Sequence, residues 1–185
     1  MNLPDNTKPI REQGEMDARK AWVFGLIAGD GHVKYDQYRV LIVCGVKPED
    51  EQLAQLAGQV LDDVYAASAK VYKRNAIPPR LPQWVVRLDS KLAIEDMMLL
   101  APWGIHKWRV PEAVRNAAPN VKGAWIAGFA DAEGHVVNKV AGKRAIVLTS
   151  VNQAGLSDVS RLLTDLGIKH VWMSHKRKDP KFNTA

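Results

Sequence analysis

The chain has 185 residues, 46% hydrophobic and 25% charged. That is enough for one compact unit or two small halves, and too ordinary in composition for a disordered chain, a collagen or a simple coiled coil. No run of about 18 uncharged apolar residues occurs and residues 1–15 are polar, so neither a membrane span nor a signal peptide is expected and a cytoplasmic location is. The single cysteine, Cys44, excludes an internal disulfide and a cysteine-based zinc site, which leaves oxygen or histidine ligands for any metal. The formal charge is +6 with a pI near 9.5, a balance that suits a polyanionic partner such as nucleic acid.

In chain order, residues 1–16 read as a polar tail. A first unit follows over residues 17–100. Residues 17–29 form an apolar, proline-free helix with Asp17 as N-cap and Gly31 as its stop. Residues 33–46 read as two strands joined by a polar turn at 34–37, the second strand opening at Tyr38. Pro48 then begins an amphipathic helix of about five turns with an apolar face of Leu53, Leu56, Val60, Leu61 and Val64. A strand at 69–72, a basic proline-containing loop at 73–82, a strand at 84–88 and a helix at 90–100 complete the order α-β-β-α-β-β-α. Residues 101–121, with Pro102, Pro111 and Pro119, read as a linker. A second unit, residues 122–185, should hold a helix at 122–132, strands near 135–140 and 144–150, a helix at 153–165 and a strand at 168–174.

The second unit repeats the first. With an offset of 103 residues, Ala21 to Val33 lies over Ala124 to Val136, and six of thirteen positions are identical. Leu53, Leu56 and Val60 then fall over Leu156, Val159 and Leu163, so the likeness runs through a second helix. Counterparts of the fourth strand and last helix would fall beyond Ala185, so the second half is expected to be C-terminally short. Charge is uneven along the chain: residues 1–66 carry 7 basic and 11 acidic side chains, residues 67–91 carry 6 basic against Asp89, and residues 169–185 carry 5 basic against Asp179.

Small residues recur four apart in both repeated helices, at Gly25 and Gly29 and at Gly128 and Ala132. Glycine in a helix interior costs about 1 kcal/mol relative to alanine, a loss that close packing of the two helix backbones would offset. That packing would bring together what ends each helix, Asp30 in one copy and Glu133 in the other. A carboxylate at a helix C-terminus meets the negative end of the dipole, and two of them repel. A hard cation held by carboxylates, backbone carbonyls and water would resolve this arrangement, and such centres can clamp the attacking and leaving oxygens of a phosphodiester.

Residues 22–31 (WVFGLIAGDG) and 125–134 (WIAGFADAEG) resemble the two signature helices of the LAGLIDADG homing endonucleases, in their single-chain, two-motif form. The resemblance spans about residues 21–174. It implies an α+β fold of two pseudo-symmetric αββαββα halves packed through their first helices, with a saddle of antiparallel strands lying in the DNA major groove. It implies a site-specific, double-strand DNA endonuclease, intron-encoded, that uses Mg²⁺ with Mn²⁺ as a substitute. Asp30 and Glu133 would be the catalytic, metal-binding acids, with the carbonyls of Gly29 and Ala132 beside them, and Asp131 would face away.

Two departures stand out. Where the family often supplies a Lys or Gln from the second strand, the first half has Cys44. In the second half His135, Val136 and Val137 follow the acid, leaving Lys139 or Lys143 as substitutes. His32 and His135 read as polar strand-edge residues. The candidate DNA contacts are Lys34, Gln37, Arg39, Lys70, Tyr72, Arg74, Arg80, Gln83 and Arg87, then Lys139, Lys143, Arg144, His175, Lys176, Arg177 and Lys178. The partner is expected to be a long, asymmetric duplex bound by a monomer. The alternatives are a noncatalytic nucleic-acid binder, such as an RNA intron maturase, and a degenerate, inactive copy.

Overall fold

A computed structural model of the chain describes residues 15–76, 81–138, 144–169, 171 and 173. Helix α1 spans Ala18–Asp30, and its N-cap is the Asp17 side chain, which accepts the Lys20 N–H at 2.8 Å. Gly31 ends it and begins strand β1, Gly31–Lys34. A 3-10 turn, Tyr35–Gln37, leads into β2, Arg39–Cys44. Tyr38 has φ 46° and closes that turn in the left-handed region, so it lies outside the strand that was expected to begin with it.

Helix α2, Pro48–Tyr65, opens with its proline in the first turn and with Asp50 accepting the Lys47 N–H at 2.8 Å. Its apolar face is narrower than the periodicity suggests. Val60, Leu61 and Val64 are buried, whereas Leu56 is 48% exposed and is not a core residue. Strands β3, Lys70–Arg74, and β4, Gln83–Asp89, follow, and then α3, Lys91–Leu100, capped by the Ser90 hydroxyl. The four strands form one antiparallel sheet in the order β1-β2-β4-β3. Its inner face, with Val40 and Ile42 from β2 and Val86 and Leu88 from β4, is buried in the main core with residues of α1 and α2.

A buried polar node ties the three helices of this half. The Lys20 ammonium on α1 lies 2.7 Å from the Asp96 carboxylate on α3, which also accepts the Tyr65 hydroxyl of α2 at 2.7 Å. Lys20 sits over the rings of Phe24 and Tyr65, so its charge is met on several sides.

Residues 101–121, expected to be a linker, are partly core. They contain a helical turn, α4, Glu112–Arg115, and Trp108, Val110 and Val114 are buried. Trp108 packs against the rings of Trp125 and Phe129, its carbonyl accepts the Asn152 amide at 2.6 Å, and Gly155 leaves room for its ring. Arg109 reaches the buried Asp158 carboxylate through two hydrogen bonds of 2.6 and 2.8 Å.

The second half is α5, Pro119–Glu133; β5, Gly134–Asn138; β6, Arg144–Leu148; and α6, Gln153–Asp165. Helix α5 begins three residues earlier than its expected start at 122, because Pro119 occupies the first turn, where its missing N–H costs nothing. β5 and β6 pair antiparallel as a separate two-stranded sheet, so the strands of the two halves do not hydrogen-bond into one sheet among the described residues. The strand expected at 168–174 is absent from the described residues of that range. No described helix is long and apolar enough to cross a membrane.

Candidate active site

The centre of the molecule is the pairing of α1 with α5, the most extensive contact between any two elements. The small-residue stripes lie in that contact. A Cβ on Gly25 would come within 2.8 Å of the Phe129 nitrogen, and one on Gly128 within 3.0 Å of the Leu26 nitrogen. Near the C-terminal ends, a Cβ on Gly29 would overlap the Ala132 side chain and come within 2.9 Å of the Glu133 Cγ. Backbone meets backbone along the stripe, as the four-residue spacing of Gly25, Gly29, Gly128 and Ala132 implies.

The two tryptophans that the repeat aligns, Trp22 and Trp125, are not equivalent in this pairing. Trp22 on α1 donates its indole N–H to Asp131 of α5 at 2.8 Å, which accounts for Asp131 as a partner of Trp22. The repeat mate of Trp22 is Trp125, and the residue that mirrors Asp131 is Ala28, which has no side-chain acceptor. Trp125 is fully buried and its indole N–H has no hydrogen-bond partner among the described residues.

Close approach of the helices brings their last residues together. Asp30 and Glu133 are half-buried. Burial, the charge of Glu133 and the charge of Asp50 together push the Asp30 carboxyl up from 3.8 to about 7. Burial also raises Glu133. Cys44, at the inner end of β2, is raised to about 11 by burial and by the charges of Asp30 and Asp50, so the thiol stays protonated beside the acids. Asp50 caps α2 and adds a third negative charge to this neighbourhood. Among the described residues no three His, Cys, Asp or Glu side chains converge as a metal cage. Two carboxylates with neighbouring backbone carbonyls form an all-oxygen donor set. Mg²⁺ accepts such a set when water and substrate phosphate oxygens complete its shell, so the residues fit that ion.

The outer face of the four-stranded sheet extends away from this centre. Strand alternation and the pairing register put Lys34, Arg39, Lys70, Tyr72, Arg74, Gln83 and Arg87 on that one face, opposite the buried Val40, Ile42, Val86 and Leu88. Gln37 lies on the adjoining turn and accepts a hydrogen bond from Arg39 at 3.0 Å. His32 and Leu41 share the face at its inner end, and Asp89 at its outer end. In the second half Arg144 opens β6 and is exposed, and His135 pairs with Val147 on the hairpin. Arg80, Lys139, Lys143, His175, Lys176, Arg177 and Lys178 lie outside the described residues. Sequence reasoning missed Asp50 and Asp89. The first was signalled only by its place three residues after Lys47 at a helix start, and the second by its i+2 spacing from Arg87.

Residues 120–182 match the family model of the LAGLIDADG-like domain. Among solved structures, the chain is similar to I-DmoI in complex with DNA and Mn, with a TM-score of 0.54 and 22% identity over 81% of this chain and 78% of that one. It is also similar to the homing endonuclease I-WcaI bound to its DNA recognition sequence, with a TM-score of 0.50 and 16% identity over 91% and 76% of the two chains. These likenesses are of fold. Among curated proteins, 168 residues align at 23% identity with the ribonucleoside-diphosphate reductase NrdEB subunit alpha of Bacillus subtilis (strain 168) and of Bacillus phage SPbeta. That alignment takes in 85% of this chain, which spans about 15% of the length of those relatives.

Proposed function

We propose, for a chain that carries a LAGLIDADG-like domain in its second half and has the pseudo-dimeric LAGLIDADG fold, that it is a metal-dependent endonuclease cutting both strands of a specific DNA site. The observation that carries the reading is the meeting of two carboxylates at the ends of two helices in backbone contact. Ionising Asp30 there without a cation is costly, since burial and then the charges of Glu133 and Asp50 push its carboxyl up to about 7. A protein that only bound phosphate would gain nothing from two acids at negative helix ends.

Asp30 and Glu133 are the groups that would hold Mg²⁺, with Mn²⁺ as a substitute, alongside the carbonyls of Gly29 and Ala132. The bound ion supplies Lewis-acid stabilisation of the charge that builds on phosphate oxygens during hydrolysis. The chain's own part is positional. The glycine stripe fixes the separation of the two acids, and the pseudo-two-fold axis directs one acid toward each strand of a duplex. The outer sheet face then holds the duplex through Lys34, Gln37, Arg39, Lys70, Tyr72, Arg74, Gln83 and Arg87. Arg80, Lys139, Lys143, Arg144, His175, Lys176, Arg177 and Lys178 are proposed to add phosphate contacts. Cys44 is protonated and buried, so it does not organise water as a strand Lys or Gln would. That residue favours the second reading, a nucleic-acid binder without nuclease activity.

The genetic setting we propose is an intron-encoded element acting as a monomer on a long asymmetric site. Residence inside a longer host chain is the competing setting, favoured by the 15% share of the reductase subunits. The reductase activity itself is not carried over. The test is incubation with a randomised plasmid library in Mg²⁺ and in EDTA. Recovery of linear products of common sequence in Mg²⁺ alone supports the endonuclease, whereas enrichment of bound nucleic acid with no cleavage supports the second reading.

A further inference from the structure

Among the strand residues of the outer sheet face, which carries Lys34, Arg39, Lys70, Arg74 and Arg87, Asp89 is the one acid. Asp89, the last residue of β4, stands directly across from Arg39 in the β2–β4 register and two residues from Arg87 on the same strand face. Its two carboxylate oxygens are divided between two arginines. Oδ1 accepts the Arg39 Nε–H at 2.6 Å and Oδ2 accepts the Arg87 Nε–H at 2.7 Å. Gln37 takes one further N–H of Arg39, at 3.0 Å. All three side chains are accessible, at 27% for Arg39, 34% for Arg87 and 39% for Asp89.

An acid on a surface that receives phosphates works against binding unless it does something else. Here it holds two guanidinium groups by their inner nitrogens, which leaves both terminal nitrogens of Arg87, and Nη2 with the second Nη1 N–H of Arg39, outside the bonds of this cluster. A planar guanidinium fixed in this way is the group that pairs bidentately with guanine O6 and N7. An arginine that only neutralises phosphate needs no such bracing.

Resting on the endonuclease reading above, we propose that Asp89 is a positioning residue for base recognition. It orients Arg39 and Arg87 to read two neighbouring guanines in the major groove of the first half-site. Arg39 and Asp89 lie level with Lys34, three residues out from Gly31 or roughly 10 Å at strand rise, and Arg87 lies level with His32, one residue out or roughly 3 Å. The guanines are therefore expected within about one to three base pairs outward from the acids, at about 3.4 Å per step.

The experiment is selection of bound duplexes from a fully randomised DNA library by the wild-type chain, Asp89→Ala, Asp89→Asn, Arg39→Lys and Arg87→Lys, with total affinity for the unselected library measured alongside. The wild type is expected to enrich two guanines in one half of its consensus. Each Arg→Lys change should relax one of them by about 5- to 150-fold, the range of a bidentate contact. Asp89→Ala should relax both while library affinity stays within about threefold or tightens, because a negative charge has left a phosphate-facing surface.

Asp89→Asn, which keeps one acceptor and the shape, is the folding control and should retain part of the preference. The proposal is overturned if the wild type enriches DNA without those guanines, or if Asp89→Ala keeps them. It is also overturned if the position facing Asp89 proves to be a cytosine, since the carboxylate then reads the base itself. Failure to enrich any duplex would instead refute the endonuclease reading on which this rests.

Discussion

Replacing Asp30 by Asn should remove activity and at the same time stabilise the metal-free protein. A carboxyl raised in the folded state to about 7 from 3.8 is one whose ionisation opposes folding. Stability is full while the group is protonated in both states, declines as pH rises from about 4 through about 7, and is lower by a constant amount above that. At 1.36 kcal/mol per unit, a shift of this size corresponds to about 4 kcal/mol, and screening at a half-buried site reduces it to roughly 2–3 kcal/mol.

In EDTA at pH 8, Asp30→Asn is therefore expected to melt about 4–12 °C above the wild type. At pH 5 the gap should be much smaller. Adding Mg²⁺ at pH 8 should raise the wild-type melting temperature, since an ion that binds only the folded state stabilises it, and should leave the variant nearly unmoved. Melting curves at two pH values with and without Mg²⁺ suffice. A variant no more stable than wild type at pH 8, or a gap equal at both pH values, would refute the electrostatic account of the two acids.

Gly25→Ala and Gly128→Ala should each destabilise the chain by about 1–3 kcal/mol or more in urea titrations, despite alanine's better helix propensity, because the new methyl enters the facing backbone. Lys20→Met should cost about 3–5 kcal/mol by breaking the buried Lys20–Asp96 ion pair from one side, and Tyr65→Phe less. Neutralising Lys34, Lys70 and Arg74 together should flatten the slope of log affinity against log salt by about three phosphate contacts' worth, and an unchanged slope would place the DNA surface elsewhere. Base substitutions should be tolerated better on the half-site served by β5 and β6 than on the half-site served by the four-stranded sheet, and equal discrimination in a randomised-target assay would contradict this.

How much of this was legible in the sequence follows from where the signal is periodic or repeated. The glycine stripe, the acids at the helix ends and α6 could be read because a second copy repeats them at one offset, and repetition distinguishes pattern from accident. The basic and polar residues of β2, β3 and β4 could be placed on one face because they recur at alternate positions, 70, 72 and 74 above all, although Leu41, Val43 and Val85 interrupt that pattern. Trp108, Val110 and Val114 were not, since buried residues separated by prolines have no period and a proline-spaced stretch reads as a connector. Pro119 reads as part of the linker, yet it begins α5, because the first turn of a helix accepts a proline. Leu56 follows the helical spacing yet faces solvent, and only the packing partners of α2 decide that. The i+2 spacing of Asp89 from Arg87 pairs it with one arginine, but its second partner, Arg39, lies across the β2–β4 register, which no local pattern encodes.

The central claim is that Asp30 and Glu133 together hydrolyse DNA. It is tested most directly by assaying Asp30→Asn and Glu133→Gln on a duplex that the wild type cuts, with binding measured on the same duplex. The account predicts that each variant loses double-strand cleavage in Mg²⁺ while its dissociation constant stays within a few-fold of wild type. Full double-strand cleavage by either variant would contradict it.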